Sequence, residues 1–156
     1  MLTRRRAFAL CAAAGVALVA TGCGGGPPPP GSVDLTITAT DDINPDAAGR
    51  ASPVKLRVYQ LAEPTQFQAA DFFQLFDKEQ ATLGADLVAR EEVVILPGGT
   101  LSVPIALKPN AKRIGIAAEF RDIDKASWRA VIEVPPTEKT KLKGEVTKLQ
   151  VSLAKG

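Results

Sequence analysis

Side chains that commonly carry enzyme chemistry are scarce in this sequence. Its 156 residues include two cysteines and no histidine, which excludes Ser-His-Asp and Cys-His hydrolases and zinc sites with histidine ligands. A G-x-S-x-G elbow and a P-loop are also missing from the sequence. Glu91 and Glu92 are adjacent, so on a strand they face opposite sides and cannot act as a catalytic carboxylate pair. We therefore predict that the protein is not an enzyme.

One acidic stretch has the spacing of a metal site. Asp42, Asn44 and Asp46 show the D-x-N-x-D alternation that opens a calcium-binding loop. The rest of that motif fails, because its sixth position is Ala47 instead of Gly and its twelfth is Pro53 instead of Glu. We predict neither a metal ion nor a cofactor, and interpret the stretch as part of a turn-rich connection.

The N-terminus predicts an export signal over residues 1–22. Three arginines at positions 4–6 precede an uncharged, mostly apolar run from Ala7 to Ala20, which is shorter than the roughly 18 residues of a membrane-spanning helix. A buried core helix would explain neither the arginines nor the abrupt change to Gly and Pro. Arg5-Arg6-Ala7-Phe8 resembles the twin-arginine export pattern, and a Sec signal fits equally, so the export route stays open.

Cys23 is the residue with a predicted modification. Ala20-Thr21-Gly22-Cys23 resembles the lipobox of bacterial lipoproteins, in which the cysteine is acylated and becomes the first mature residue. Ordinary signal peptidase cleavage is the alternative, but it would leave a single unpaired thiol in an oxidising compartment, since Cys11 lies inside the signal. Buried acyl groups contribute about 0.8 kcal/mol per CH₂. Gly24 stands where an Asp would signal inner-membrane retention, so we predict an anchor in the outer membrane.

Removal of the signal makes the chain nearly neutral. The full sequence has 19 basic against 17 acidic residues, and loss of three arginines leaves 16 against 17. Such a balance provides no basic field for nucleic acid. Residues 23–32 then contain Cys23 and a Gly/Pro-rich segment, which predicts an extended tether. Residues 33–156 remain for one folded domain.

Apolar and polar residues alternate with period two through much of this domain, which predicts β-strands. The pattern is clear over Val33–Ala39 and Val54–Tyr59, and Pro97-Gly98-Gly99 marks a turn between two further strands. Later strands are predicted at Arg113–Arg121, Trp128–Val134 and Thr147–Leu153. About seven or eight short strands with Gly/Pro turns favour a mainly β fold, a two-sheet β-sandwich.

A helical insertion interrupts the strands over about residues 66–84. Apolar residues at helical spacing define it, and a Leu83-Gly84 break ends it: Ala69, Phe72, Phe73, Leu75 and Phe76. We predict that this aromatic stripe caps an open edge or end of the sandwich. The alternative is an exposed face that docks a partner.

The connection between the first two strands, Asp41–Ser52, is long for a β-sandwich. Long connections are often functional. Composition alone leaves open whether it is a binding loop or an ordinary turn-rich link.

A series of segments, in unbroken order, resembles the TssJ lipoproteins of type VI secretion systems, also called the VasD or SciN family. The matching segments cover roughly residues 44–134: Asn44-Pro45-Asp46, Ser52–Leu61, Ala70–Phe76, Leu83–Leu87, Leu96-Pro97-Gly98, Ile114–Ile123 and Ala126-x-Trp128-Arg129. The resemblance implies a transthyretin-like two-sheet sandwich with a small helical insertion. It also implies a non-enzymatic lipoprotein on the periplasmic face of the outer membrane.

The same resemblance implies the partners. TssJ lipoproteins bind the C-terminal periplasmic part of TssM, an inner-membrane protein, and through TssM associate with TssL. The loop joining the first two strands is implicated in that contact in the family. It corresponds here to Asp41–Ser52, and the candidate contact residues are Asp41, Asp42, Ile43, Asn44, Pro45, Asp46, Gly49 and Arg50. No small-molecule substrate is expected. A lipid-anchored periplasmic carrier or small-molecule binding module, with its pocket at the Phe-rich insertion, is the alternative function.

Overall fold

The computed structural model describes residues 25–156. The predicted signal peptide and Cys23 lie outside the described residues. The described part contains eight strands: β1 (Ser32–Ala39), β2 (Val54–Leu61), β3 (Leu87–Ile95), β4 (Thr100–Ala106), β5 (Arg113–Ala118), β6 (Arg129–Glu133), β7 (Lys139–Thr147) and β8 (Gln150–Lys155). Three short helices lie between β2 and β3: α1 (Thr65–Ala69), α2 (Phe72–Asp77) and α3 (Glu79–Leu83), followed by a 3₁₀ turn at Gly84–Asp86.

The strands form two four-stranded sheets, in the orders β4-β1-β7-β8 and β3-β2-β5-β6. We call them the first sheet and the second sheet. Strands β1 and β7 run parallel, whereas the other neighbours are antiparallel. The predicted mainly β, two-sheet sandwich with a helical insertion is confirmed, and the strand count agrees with the prediction.

The main core lies between the sheets and follows from the alternation in the sequence. On β1, Val33, Leu35 and Ile37 are fully buried, and on β2 so is Leu56. Complete burial of such a side chain contributes roughly 2 kcal/mol. The sheets contact each other at Gly144 on β7, where a Cβ atom would lie 3.5 Å from Ile116 Cδ1 on β5.

Strand ends differ from the sequence-based expectation where local hydrogen bonds turn the chain. β5 ends at Ala118 instead of continuing to Arg121, because the Phe120 N–H donates to the Ala118 carbonyl at 3.0 Å. β8 starts at Gln150, since residues 148–149 form the turn after β7. The strand before the Pro97-Gly98-Gly99 turn, β3, spans nine residues and begins at Leu87.

The helical insertion covers the outer face of the second sheet, not an edge or end as the aromatic stripe suggested. Phe67 of α1 and Leu75 of α2 are fully buried against Tyr59 of β2. Room for them exists because the outward position 115 on β5 is glycine: a Cβ there would lie 3.0 Å from Phe67 Cζ. The second sheet is therefore buried on both faces, and the insertion provides a second, smaller core.

The strand directions place four connections at one end of the sandwich, which we call the loop end. These are the β1–β2, β3–β4, β5–β6 and β7–β8 connections. The chain enters β1 at the opposite end, where the Gly31 N–H donates to the Pro136 carbonyl at 2.7 Å. Eight residues of β1, at about 3.3 Å each, separate the two ends by roughly 25 Å.

Candidate functional site

The base of the β1–β2 loop is built around Asn44, which is buried with 3% exposure. Its amide Nδ2 donates to the Pro53 carbonyl at 2.9 Å, and its Oδ1 accepts from the Arg121 N–H at 2.8 Å. The Asn44 N–H donates to the Lys148 carbonyl at 2.9 Å. Asn44 thus joins three connections of the loop end by hydrogen bonds, namely the β1–β2, β5–β6 and β7–β8 connections.

Backbone conformation explains why an asparagine occupies this position. Asn44 has a φ of 48°, a left-handed region that asparagine tolerates better than most residues. The turn moves the preceding Ile43 into the main core, where it is fully buried. The Ser52 N–H closes the base by donating to the Ile43 carbonyl at 3.0 Å. The loop therefore leaves the sandwich from a fixed base.

The tip of the loop is a tight turn over Asp46–Arg50. The Gly49 N–H donates to the Asp46 carbonyl at 2.9 Å, and the Asp46 N–H to the Arg50 carbonyl at 2.8 Å. Asp46 Oδ1 accepts from the N–H groups of Ala48 and Arg50, both at 2.9 Å, and Oδ2 pairs with Arg50 Nη2 at 2.8 Å. The hydrogen bond from the Arg50 N–H, aided by the Arg50 guanidinium, holds the pKa of the Asp46 carboxyl below its usual range.

Asp41 and Asp42 lie where the loop meets the β3–β4 turn, and both are exposed. Asp42 Oδ1 accepts from the Thr40 hydroxyl at 2.6 Å. The Asp41 carboxylate lies directly against Gly98, whose N–H donates to the Thr40 carbonyl at 3.1 Å. The two connections therefore present one continuous surface.

The eight predicted contact residues divide into a buried set and an exposed set. Ile43 and Asn44 are buried, and Pro45 and Asp46 are half-buried. The exposed members are Asp41, Asp42, Gly49 and Arg50. Asp42, Asn44 and Asp46 do not converge on a common point, since each carboxylate or amide is engaged by a different partner. Among residues 25–156, no group of three or more His, Cys, Asp or Glu side chains is placed to hold a metal ion.

Sequence reasoning missed the residues that fix the loop from outside it. Arg121 and Lys148 contribute backbone groups, which any residue type supplies, so neither position carries a sequence signal. Gly98 is recognisable in the Pro97-Gly98-Gly99 turn. Its closeness to Asp41, however, depends on the antiparallel pairing of β1 with β4, two strands that lie far apart in the sequence.

A second polar cluster lies on the outer face of the second sheet, beside the insertion. Arg57 pairs through Nε with Glu92 Oε1 at 3.0 Å and through Nη1 with Glu79 Oε1 at 3.4 Å. The Tyr59 hydroxyl donates to the same Glu79 oxygen at 2.8 Å. Burial, reinforced by this hydrogen bond, raises the pKa of Tyr59 well above its usual range. Each group already has a partner, so the cluster attaches the insertion to the sheet.

Fold and loop together define a class of protein: a small β-sandwich that presents a shaped loop surface. The chain belongs to the type VI secretion lipoprotein family (VasD, EvfM, TssJ), whose family model matches residues 31–152. This confirms the resemblance drawn from the ordered segments. The family is one of structural secretion lipoproteins and not an enzyme family.

Solved structures agree with the assignment. The chain is 35% identical to the type VI secretion lipoprotein TssJ1 from Pseudomonas aeruginosa, with a TM-score of 0.78, covering 82% of this chain and 98% of that one. Serratia marcescens Lip, a membrane-bound component of the type VI secretion system, is 26% identical at a TM-score of 0.69, covering 81% and 98%. A chain of a type VI membrane complex is 33% identical at 0.70, covering 80% and 98%. No curated protein matches the chain significantly.

Within the part of the chain that the structure describes, no helix is long and apolar enough to cross a membrane.

Proposed function

We propose that this protein is an outer-membrane-anchored structural lipoprotein of the type VI secretion membrane complex. In this role it binds the periplasmic C-terminal part of TssM, and through TssM it associates with TssL. Two comparisons support the partner: a chain of a type VI membrane complex is 33% identical, and a chain of the structure of the TssM C-terminal domain from EAEC is 32% identical. The observation that carries the proposal is the placement of tether and loop at opposite ends of the sandwich.

The proposed anchor divides the chain into three parts. Residues 1–22 are the signal peptide, and Cys23 carries the lipid and starts the tether. The sequence placed the end of the tether at residue 32, but Gly31 and Ser32 already hydrogen-bond to the Pro136 and Glu138 carbonyls, so the sandwich begins there. Residues 25–30 are exposed, and a fully extended tether over residues 24–30 reaches at most about 25 Å. With the tether entering at the far end, the loop end points away from the membrane and toward a partner in the periplasm.

The proposed contact surface is narrower than the predicted loop. The buried Ile43 and Asn44 hold the loop in shape, and a partner can touch the exposed Asp41, Asp42 and residues 47–50 of the tip. A loop fixed by hydrogen bonds loses little conformational entropy on binding. Anchoring in the membrane raises the effective concentration of the partner, so a modest contact suffices. The protein works by being held in place and does not catalyse a reaction.

Palmitate labelling of cells tests the anchor. Wild-type protein should incorporate label and fractionate with the outer membrane, because Cys23 is the acylated residue. Cys23→Ser should lose both the label and the outer-membrane fraction, whereas the matched control Cys11→Ser should keep them, since Cys11 lies in the removed signal. Label retained by Cys23→Ser would contradict the lipid site.

Binding to the purified periplasmic C-terminal part of TssM tests the partner. The full-length lipoprotein, extracted in mild detergent, should bind with a Kd below tens of micromolar. The triple variant Asp41→Ala/Asp42→Ala/Arg50→Ala should bind at least tenfold more weakly, because it removes the exposed charges of the loop. Phe73→Ala, an exposed change on the insertion, is the control and should bind normally. Absence of binding by the wild type would refute the proposed partner.

A further inference from the structure

Strand β3 is an edge strand whose two halves differ. It pairs with β2 on one side, and within residues 25–156 no strand pairs with its other side. The first half carries Arg90 and Glu91 and a register shift opposite Gln60/Leu61; charges and bulges of this kind block pairing with another chain. The second half, from Glu92 to Ile95, carries a single charge, and the Glu92 carboxylate is paired with Arg57 Nε at 3.0 Å.

Free backbone groups lie along this second half. The Glu119 N–H donates to the Lys55 carbonyl at 2.9 Å, so the backbone groups of Lys55 face β5. Lys55 is the register partner of Val94. Because successive residues of a strand direct their N–H and C=O groups to alternate sides, those of Val94 and Glu92 point away from β2. The open edge thus offers two donors and two acceptors to an added strand.

Exposed apolar side chains accompany these groups. Val94 is 54% exposed and Leu96 is 60% exposed, and they alternate with the buried Ile95. Among the described residues, one other large hydrophobic side chain is comparably exposed, Phe73 on the insertion.

The remaining sheet edges are interrupted or partly covered. β4 contains Pro104, which cannot donate to a neighbouring strand. At the opposite side of the sandwich, the Ser127 N–H donates to the Leu149 carbonyl at 2.8 Å and the Val151 N–H to the Ser127 carbonyl at 2.9 Å. These bonds join the chain just before β6 to the start of β8. The contrast singles out the end of β3 as an edge left open.

We infer that the edge of β3 from Glu92 to Leu96 binds an extended segment of the protein partner by strand addition. This inference rests on the proposed function and names how the partner is held. The added strand hydrogen-bonds to the free groups of Glu92 and Val94, and its own apolar residues pack on Val94 and Leu96.

Charge complementarity indicates which type of residue lies at the end of the bound partner segment. Beyond Leu96 the edge leads to the β3–β4 turn, against which the exposed Asp41 lies, with Asp42 beside it. A basic residue at the end of the added segment complements these carboxylates. A second copy of this chain fits poorly, because antiparallel pairing about Val94 would set the charged Glu92 of one copy against Leu96 of the other.

Hydrogen exchange on the wild-type complex tests the strand addition directly. In the presence of the periplasmic C-terminal part of TssM, the Glu92 and Val94 amides should exchange at least tenfold more slowly, since they become hydrogen-bonded. Unchanged exchange at both amides in a formed complex would overturn the inference while leaving the proposed partner intact.

Two variants provide an independent test. Val94→Pro removes a donor that faces solvent in the free protein, so the fold tolerates it, yet it blocks an added strand. Leu96→Lys places a charge on the apolar surface. Both should bind TssM at least tenfold more weakly, and Phe73→Lys, a matched change at an exposed apolar residue elsewhere, should bind normally. Strand addition by the partner would be overturned if the Val94→Pro and Leu96→Lys proteins were folded and bound TssM like wild type. It would also be overturned if the wild type formed a dimer that Leu96→Lys abolishes. Failure of the wild type to bind would instead refute the proposed function.

Discussion

The β1–β2 loop and the helical insertion are both departures from the sandwich, but different forces hold them. The insertion is held by apolar burial, with Phe67 and Leu75 inaccessible to solvent. The loop is held by hydrogen bonds that converge on Asn44 at its base, while its tip stays exposed. The insertion and the loop base therefore support the fold, whereas the loop tip is free to serve a partner.

The largest expected effect is on the insertion. Phe67→Ala should lower the free energy of unfolding by about 3–5 kcal/mol, because it empties a fully buried site beside Tyr59, whose ring centroid lies 5.2 Å away. Urea unfolding followed by circular dichroism measures the loss. Phe73→Ala is the control, and since Phe73 is 61% exposed, it should change stability by less than about 0.5 kcal/mol. Equal losses in the two variants would show that the insertion is not a second core.

The loop base should give the next largest effect. Asn44→Ala should lower the free energy of unfolding by about 3 kcal/mol, because the Arg121 N–H and the Pro53 carbonyl lose a partner at a cost of about 1–3 kcal/mol each. Asn44→Gly loses the same hydrogen bonds but accepts the positive φ, so it should be more stable than the alanine variant by about 1 kcal/mol. Denaturant titrations of both compare them. A loss below about 0.5 kcal/mol in both would mean that the base does not hold the loop.

The sandwich was predictable because its signal is local. Alternation over Val33–Ala39 and Val54–Tyr59 indicates which side chains face the core. The helical spacing around Phe72 indicates an insertion with apolar side chains, of which Leu75 is buried and Phe73 is exposed. What the insertion packs on is not local. The outward Gly115, which leaves room for Phe67, lies on β5, far along the chain. Nothing in the sequence around this glycine indicates that it makes room for another side chain.

For the polar residues of the β1–β2 loop, too, the sequence does not indicate the packing. Its acidic and turn-forming residues predict a distinctive connection, but not which of them turn inward. Asn44 is buried through a bond to Arg121, 77 residues away, and through a backbone conformation that its residue type permits but does not require. Exposure of Asp41 and burial of Asn44 therefore had to be observed in three dimensions.

A smaller effect is expected at the loop tip. Gly49 has a φ of 80°, so Gly49→Ala should destabilise the turn by about 1 kcal/mol, whereas Gly49→Asn should cost less because asparagine tolerates this region. Thermal or urea unfolding checks the order of the two variants. Affinity for TssM should fall more for alanine than for asparagine, since the turn shapes the exposed surface. Identical behaviour of both variants would show that the tip conformation is not under constraint.

The smallest effect is the pH dependence of the Asp46 turn. Hydrogen bonds from backbone N–H groups, with the Arg50 guanidinium, lower the pKa of the folded Asp46 carboxyl. A carboxyl with a lowered pKa stabilises the fold above the unfolded-state pKa of about 3.9, and this contribution disappears as the pH falls through the folded value. The stability advantage of wild type over Asp46→Asn should therefore be constant above about pH 5 and shrink on acidification. An NMR titration of the Asp46 carboxyl should have its midpoint below the usual value. An advantage that stays constant on acidification would mean that the charge of the Asp46 carboxylate contributes nothing to the turn, and the loop tip, like the base, would then be held by hydrogen bonds that do not depend on charge.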